Sequence, residues 1–333
     1  MMEEGFIAAE KHQSQVPALQ LLVALGFTPL SQEEALRLRC GRLRNVVLDD
    51  VLADQLMRIN RFTHRGREYS FDLEDAHEAM RRLKPTPDRM KGLRGTNQDI
   101  YDSLVLGTTI TKSIDGDSKS YSFRYVDWDK PENNVFHVTA EFSVERTASS
   151  QTKRCDIVAF VNGIPILVIE NKRPTESLKK ADSQLIGYQN EDNIPQLFHF
   201  AQLLVSMNRN SARYATVGTK SKFWAEWRDE EDTDEAIAPF ANHVLAAAEK
   251  DSIFSGDFVG ARVYFDSMEA EGDRAVTVQD RTVYALCRPA RLLDLIRRFT
   301  VFDGGIRKVA RHQQFFGIRR AVETVKQHDI SGA

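Results

Sequence analysis

Three residues within a short region have types that could do chemistry together: Asp156, Glu170 and Lys172. The last two close the stretch VNGIPILVIENK at residues 161–172. Asn162-Gly163 is a hairpin signal, and Ile164, Ile166, Leu167, Val168 and Ile169 read as a buried strand. Side chains two apart on a strand share a face. That face therefore ends in a carboxylate and an ammonium beside an apolar core, where unpaired charge is costly. Asp156 opens the other arm of the hairpin, RCDIVAFV. Two carboxylates converging at a strand end offer hard oxygen ligands suited to Mg²⁺. A lysine beside them can hold and activate a water or stabilise developing phosphoryl charge. Together they suit in-line attack on a phosphodiester. On the hairpin alone, a plain ion pair explains the charges as well.

The turn decides whether the acids meet, because cross-strand partners share a face. A two-residue loop at Asn162-Gly163 pairs Asp156 with Ile169, away from Glu170. A three-residue loop, Val161-Asn162-Gly163, with Gly163 left-handed as a bulge, pairs Asp156 with Val168 and turns it to the face of Glu170 and Lys172. Asn-Gly suits either turn. A functional cluster requires the second, so the bulged turn is the expectation.

The next helix, near residues 177–190, carries Gln184 and Tyr188 four apart on one face. An amide and a phenol there could orient the lysine or a nucleic-acid strand, although singly a half-buried tyrosine and a surface glutamine are ordinary. Lys153, Arg154, Arg173, Lys179 and Lys180 bracket the region, a basic cluster suited to phosphate contact.

These residues need a scaffold. The chain has 333 residues, 42% hydrophobic and 28% charged, with a net charge of -3. That length allows two or more domains, and nucleic-acid contact must come from a local basic patch. Three distant cysteines argue against a disulfide framework and for a reducing compartment. No signal peptide and no membrane-spanning apolar run is evident, so the expected location is cytoplasmic. Helices are expected at 3–27, 45–60, 72–83 and 97–105. Strand alternation follows over 107–129 and 135–146, then the hairpin, the helix at 177–190, and a further helix or strand pair through LFHFAQLLVSMN and YATVGT. This is a mixed α/β domain over residues 1–227. An acidic run, RDEEDTDE, opens a connecting segment at 228–287, and helices are expected near 235–249, 288–300 and 305–327.

The order Asp156…Glu170-Asn171-Lys172…Gln184-x-x-x-Tyr188 resembles the PD-(D/E)xK nuclease superfamily. The Gln-x-x-x-Tyr element and the surrounding RCDIVAFVNGIPILVIENKRP, QLIGYQNEDNIPQLFHFAQLLVSMN and KFWAEWRD resemble the nuclease domain of the R (restriction and translocation) subunit of type I restriction enzymes. The similarity runs through most of 10–230, with Cys155 standing where the pattern has proline. It implies a restriction-endonuclease-like mixed central sheet flanked by helices. It also implies Mg²⁺ held by Asp156 and Glu170, with the Asn171 carbonyl as a third ligand, and a water positioned by Lys172. Gln184 and Tyr188 then support the site and the DNA, and Glu10 is the candidate for an additional helical acid.

The segment ALCRPARLLDLIRRFTVFDGGIRKVARHQQFFGIRRAVETV is similar to the beginning of the first RecA-like motor domain of the same subunit, which the resemblance sets at residues 288–333. Gln314 matches the glutamine that reads the adenine of ATP in superfamily 2 motors; an amide can bond an adenine edge in two places. No G-x-x-x-x-G-K-[ST] occurs, since Thr219 breaks the tempting GTKS at 218–221. The resemblance therefore implies an N-terminal fragment that ends before the phosphate loop and neither hydrolyses ATP nor translocates. Its expected partners are double-stranded DNA and the methyltransferase and specificity subunits. Two other readings compete: a non-catalytic DNA-binding or docking module on the same fold, and a PD-(D/E)xK repair nuclease. The intact acids and lysine count against the first, the motor-like segment against the second. The scattered histidines form no metal motif.

Overall fold

Six strands drawn from residues 28–215 join in one mixed sheet. The computed structural model describes residues 11–86, 90–229 and 231–331. In chain order the strands are β1 (Thr28–Leu30), β2 (Arg61–His64), β3 (Arg67–Ser70), β4 (Thr108–Ile114), β5 (Asp117–Phe123), β6 (Phe136–Glu145), β7 (Thr152–Val161), β8 (Ile164–Asn171), β9 (Leu203–Asn208), β10 (Ser211–Ala215), β11 (Thr300–Asp303) and β12 (Ile306–Val309). The sheet order is β1-β6-β7-β8-β9-β10. β6, β7 and β8 form an antiparallel meander, while β1 joins β6 and β9 joins β8 in parallel. β8 is buried at every residue. Its unbroken apolar run suits a strand covered on both faces.

The parallel step from β8 to β9 needs a crossover, which the helix Leu178–Tyr188 supplies. Ser177 caps it, its side chain accepting from the Lys179 N–H. The helix Val16–Ala24 follows a π-helical turn, Lys11–Gln15, and is buried from Val16 through Val23. It has no solvent face because it meets β1 and β6 as well as the helices Asp234–Ala241 and Val278–Cys287. The stretch 228–287, expected as a connecting segment, thus carries helices that pack on the N-terminal elements. Ala247–Ile253 contacts β1, and Ala261–Ala270 contacts the π-helical turn.

Several boundaries differ from the sequence pattern. The helix expected at 45–60 starts only at Asp49, because Leu48 is held in a non-helical conformation with its N–H bonded to the Gly163 carbonyl at 2.8 Å. The expected 305–327 helix is preceded by the hairpin β11–β12, and the helix proper is His312–Ser331. Gly304 and Gly305, both at positive φ, make the hairpin turn, which a helix would not accept. β12 is pinned just past the end of β10 and to the helix Gly92–Leu106. Thr216 Oγ1 donates to the Arg307 carbonyl at 2.8 Å, and the Arg307 guanidinium donates to Asn97 Oδ1 at 3.1 Å. That guanidinium also lies over the Tyr101 ring, and burial brings its pKa down to about 9. Among the described residues no helix is long and apolar enough to cross a membrane.

Candidate active site

The β7–β8 turn is two residues long, Val161 pairing directly with Ile164. Asn162 and Gly163 both have positive φ, 51° and 81°, as a type I′ turn requires. This corrects the expected three-residue loop. The bulge exists, but inside the strand: Phe160 pairs with Pro165 and Ala159 with Leu167, so Ile166 is the extra residue. Proline has no N–H for the ladder and is at home beside a bulge. The slip restores what the site needs. Ile157 pairs with Ile169, and one residue further the same register brings Asp156 opposite Glu170. The two acids share a face, as expected, by a different device.

The turn is held from both sides. Asn162 Oδ1 accepts from the Val135 N–H at 2.9 Å, and its Nδ2 donates to the Tyr125 carbonyl at 3.0 Å and to Asn134 Oδ1 at 2.8 Å. A Cβ on Gly163 would stand 2.5 Å from the Leu48 carbonyl oxygen.

Glu170 is fully buried, and Lys172, 8% exposed, places Nζ 2.9 Å from Glu170 Oε1. The two charges are therefore direct partners. A buried carboxylate needs a countercharge, and the ammonium provides it. Lys172 Nζ also donates to the Asn171 carbonyl at 3.2 Å. Asp156 Oδ2 accepts the Asn171 N–H at 2.7 Å. On the crossover helix, burial raises the Tyr188 phenol well above its ordinary value, and the charges of Glu170, Cys155 and Asp156 add to the effect. Tyr188 donates to the Arg154 carbonyl at 3.1 Å, and Gln184 Nε2 donates to the Tyr188 oxygen at 2.6 Å. The structure thus gathers Asp156, Glu170, Asn171, Lys172, Gln184 and Tyr188 in one region.

Other expected residues stand differently. Glu10 lies outside the described residues. Lys153 lies on β7 itself and Lys179 on the crossover helix, Arg173 directly follows the strand-end lysine, and Lys180 is paired with Glu176 at 2.8 Å. Arg154 is not free for phosphate, being ion-paired with both Glu141 and Asp257. Gln314 accepts the Arg311 N–H at 2.9 Å and lines a cleft of about 1060 Å³ between β10 and the β11–β12 hairpin. Lys220, Lys222, Arg298, Lys308 and Arg311 line the same cleft.

Two residues near the acids gave no sequence signal. Glu141 lies on β6 between Ala140, which pairs with Ile157, and Phe142, which pairs with Cys155, so it stands level with Asp156. It is buried and has φ +55°. A non-glycine residue in that region is strained, and such strain gathers at functional sites. In VTAEFSVE it falls on the polar phase of the alternation and reads as solvent-facing. Gln15, at the end of the π-helical turn, donates through Nε2 to the Asp156 carbonyl at 2.6 Å and to Glu141 Oε1 at 3.1 Å.

The donor set can be tested against Mg²⁺. Among the described residues no group of three or more His, Cys, Asp or Glu side chains is arranged to hold a metal. Mg²⁺ does not need such a cage. It is usually bound by one or two carboxylates, keeps several waters and takes further oxygens from a phosphate. Adjacent Asp156 and Glu170 match that pattern, whereas a structural zinc site would not.

Comparison with known proteins gives this arrangement a family. Residues 7–223 match the family described as "Type I restriction enzyme R protein N terminus". The chain is 25% identical over 289 residues to a Haemophilus influenzae protein named type I restriction enzyme HindI endonuclease subunit, covering 78% of this chain and 24% of that one. It is 24% identical over 228 residues to a Methanocaldococcus jannaschii protein named putative type I restriction enzyme MjaIXP endonuclease subunit, covering 68% and 20%. A Staphylococcus saprophyticus protein named type I restriction enzyme SsaAORF53P endonuclease subunit is 32% identical over 81 residues, covering 24% and 8%. The chain spans about a quarter or less of the length of these curated relatives. The family match covers well over half of the 333 residues and contains both arms of the candidate site: the chain belongs to the type I restriction enzyme R protein N-terminal family.

Proposed function

We propose that this chain is the Mg²⁺-dependent endonuclease module of a type I restriction enzyme and cleaves phosphodiester bonds of double-stranded DNA. The observation that carries the reading is the hairpin register, which sets Asp156 across from Glu170 with the Lys172 ammonium on Glu170. Asp156, Glu170 and the Asn171 carbonyl are the oxygens that would hold the ion. When bound, Mg²⁺ supplies charge neutralisation at the phosphate and a more acidic water. The chain's own groups do the rest. Lys172 orients the attacking water, and its charge lies where negative charge develops on the phosphoryl oxygens. Tyr188, held by Gln184, fixes the main chain of β7 at Arg154, two residues before Asp156. Lys153, Arg173, Lys179 and Lys180 meet the DNA backbone, while Arg154 reaches it only when Asp257 gives up its guanidinium.

The wider assembly belongs to the same proposal. Residues 1–227 form the nuclease domain, 228–287 the connecting helices, and 288–333 begin a RecA-like motor. Gln314, beside a cleft rich in Lys and Arg, is the candidate adenine contact for ATP in the longer protein. The methyltransferase and specificity subunits are the expected protein partners, in the cytoplasm.

The test uses the intact enzyme that contains this chain. Asp156→Ala and Lys172→Ala should each abolish DNA cleavage while ATP-driven translocation continues. Cleavage that survived both changes would overturn the reading.

A further inference from the structure

A chain of buried hydrogen bonds reaches the candidate site from behind. Asn171 lies between Glu170 and Lys172 and points to the opposite face of β8. Its Nδ2 donates to Ser14 Oγ at 2.9 Å, and the Ser14 hydroxyl donates to Gln279 Oε1 at 2.6 Å. Gln279 Nε2 returns a bond to the Ser14 carbonyl at 2.8 Å. Asn171 and Ser14 are 0% exposed and Gln279 2%. Gln15, the next residue, holds the Asp156 carbonyl on the neighbouring strand. Gln279 belongs to the helix Val278–Cys287, more than fifty residues beyond the matched segment 7–223.

Polar side chains buried this deeply are costly unless bonded, and such a network fixes geometry where apolar packing would fix only proximity. What it fixes here is the main chain at Asn171. The Asn171 N–H donates to the Asp156 carboxylate, and its carbonyl accepts from the Lys172 ammonium. The helix bearing Gln279 is itself anchored at its start. Thr277 caps it and Asp280 is bonded to Arg274 at 2.6 and 2.8 Å. It runs through Arg288 straight into the helix Pro289–Arg298, which leads to β11.

We infer that Ser14 and Gln279 are positioning residues of the nuclease site, and that through them the helix Val278–Cys287 sets the placement of Asp156 relative to Glu170 and Lys172. This rests on the nuclease reading and adds a route by which the helices leading to β11 regulate it. Outer partners of metal ligands typically change metal affinity tenfold or more when removed.

The experiment has two arms. In this chain, without DNA or metal, hydrogen exchange of the Asn171 amide should speed up at least several-fold in Ser14→Ala and Gln279→Leu. Ser14→Thr, which keeps the hydroxyl, should leave it within about twofold of the parent. In the intact enzyme, the Mn²⁺ concentration for half-maximal cleavage should rise about tenfold in the first two variants and not in Ser14→Thr, with the KM for DNA unchanged. The urea midpoint of each variant, measured alongside, separates lost positioning from a failure to fold. Unchanged Asn171 exchange and an unchanged Mn²⁺ requirement would overturn the inference. An Asp156→Asn enzyme that cleaved like the parent would instead overturn the nuclease reading, and the exchange arm would still judge the positioning claim.

Discussion

Lys172 and Glu170, two residues apart on β8, form an ion pair of 2.9 Å with neither side chain more than 10% exposed. Removing one member of a buried pair costs about 3 kcal/mol or more, because the other charge is left uncompensated. Lys172→Met should therefore destabilise the chain by about 3 kcal/mol in metal-free denaturant titrations. If Asp156 and Glu170 bind Mg²⁺, the cation can replace the lost ammonium. Mg²⁺ should then stabilise Lys172→Met more than it stabilises the parent, and the double change Glu170→Gln, Lys172→Met should lose most of that response. Equal Mg²⁺ responses in all three would count against the metal site.

The turn makes a prediction independent of function. Gly163 has φ +81° and no room for a Cβ beside the Leu48 carbonyl. Gly163→Ala should cost about 2–3 kcal/mol, from the strained backbone and the clash with main chain. Asn162→Gly keeps the turn conformation but deletes hydrogen bonds to Val135, Tyr125 and Asn134. It should cost about 1–3 kcal/mol through the buried groups left unpaired. Urea midpoints of the two variants against the parent check both values.

That Asp156, Glu170, Lys172, Gln184 and Tyr188 lie in one region was legible in the sequence because the signals that bring them together are local: a turn dipeptide, strand alternation and an i, i+4 pair. The same pattern could say that the hairpin needed a bulge but not where. Both Asn-Gly and Ile-Pro-Ile can absorb one extra residue, and Pro165, which lacks the ladder N–H, took it within the strand. Glu141 and Gln279 were illegible for another reason. Each sits in its element at a position any solvated polar residue could occupy, and only contacts 126 and 265 residues away in the chain, to Gln15 and Ser14, make them interior. The helices of 234–287 read as a connection because their amphipathic patterns do not say what covers them; the all-apolar helix Val16–Ala24 was the hint that something must.

Arg154 carries a prediction about DNA affinity. Its guanidinium is shared between buried Glu141 and Asp257, and the Asp257 side chain is 58% exposed. An exposed partner is worth little to stability, yet it competes with a phosphate for the same donors. Asp257→Asn should tighten DNA binding by about two- to fivefold at low salt, with the gain shrinking as salt rises. Fluorescence anisotropy across a salt series measures both effects. Arg154→Ala should erase the gain, and a gain that survived it would mean Asp257 acts elsewhere.

The pH dependence of stability should carry the mark of His199. Its ring is buried in the short helix Pro195–Phe200, and burial lowers its pKa to about 4. The unfolded chain binds that proton near the ordinary value of about 6.5. Between these two values the unfolded state holds more protons than the folded one, so stability falls as pH drops. The contribution of His199 is intact above about pH 6.5, declines through the window, and is fully lost, to the extent of about 3 kcal/mol, below about pH 4. His137, also lowered by burial, acts in the same direction. His199→Leu should therefore flatten the fall in urea midpoint between about pH 7.5 and about pH 5 without abolishing it. A slope equal to the parent's would show that the ring is hydrated in the folded state and titrates near its ordinary value.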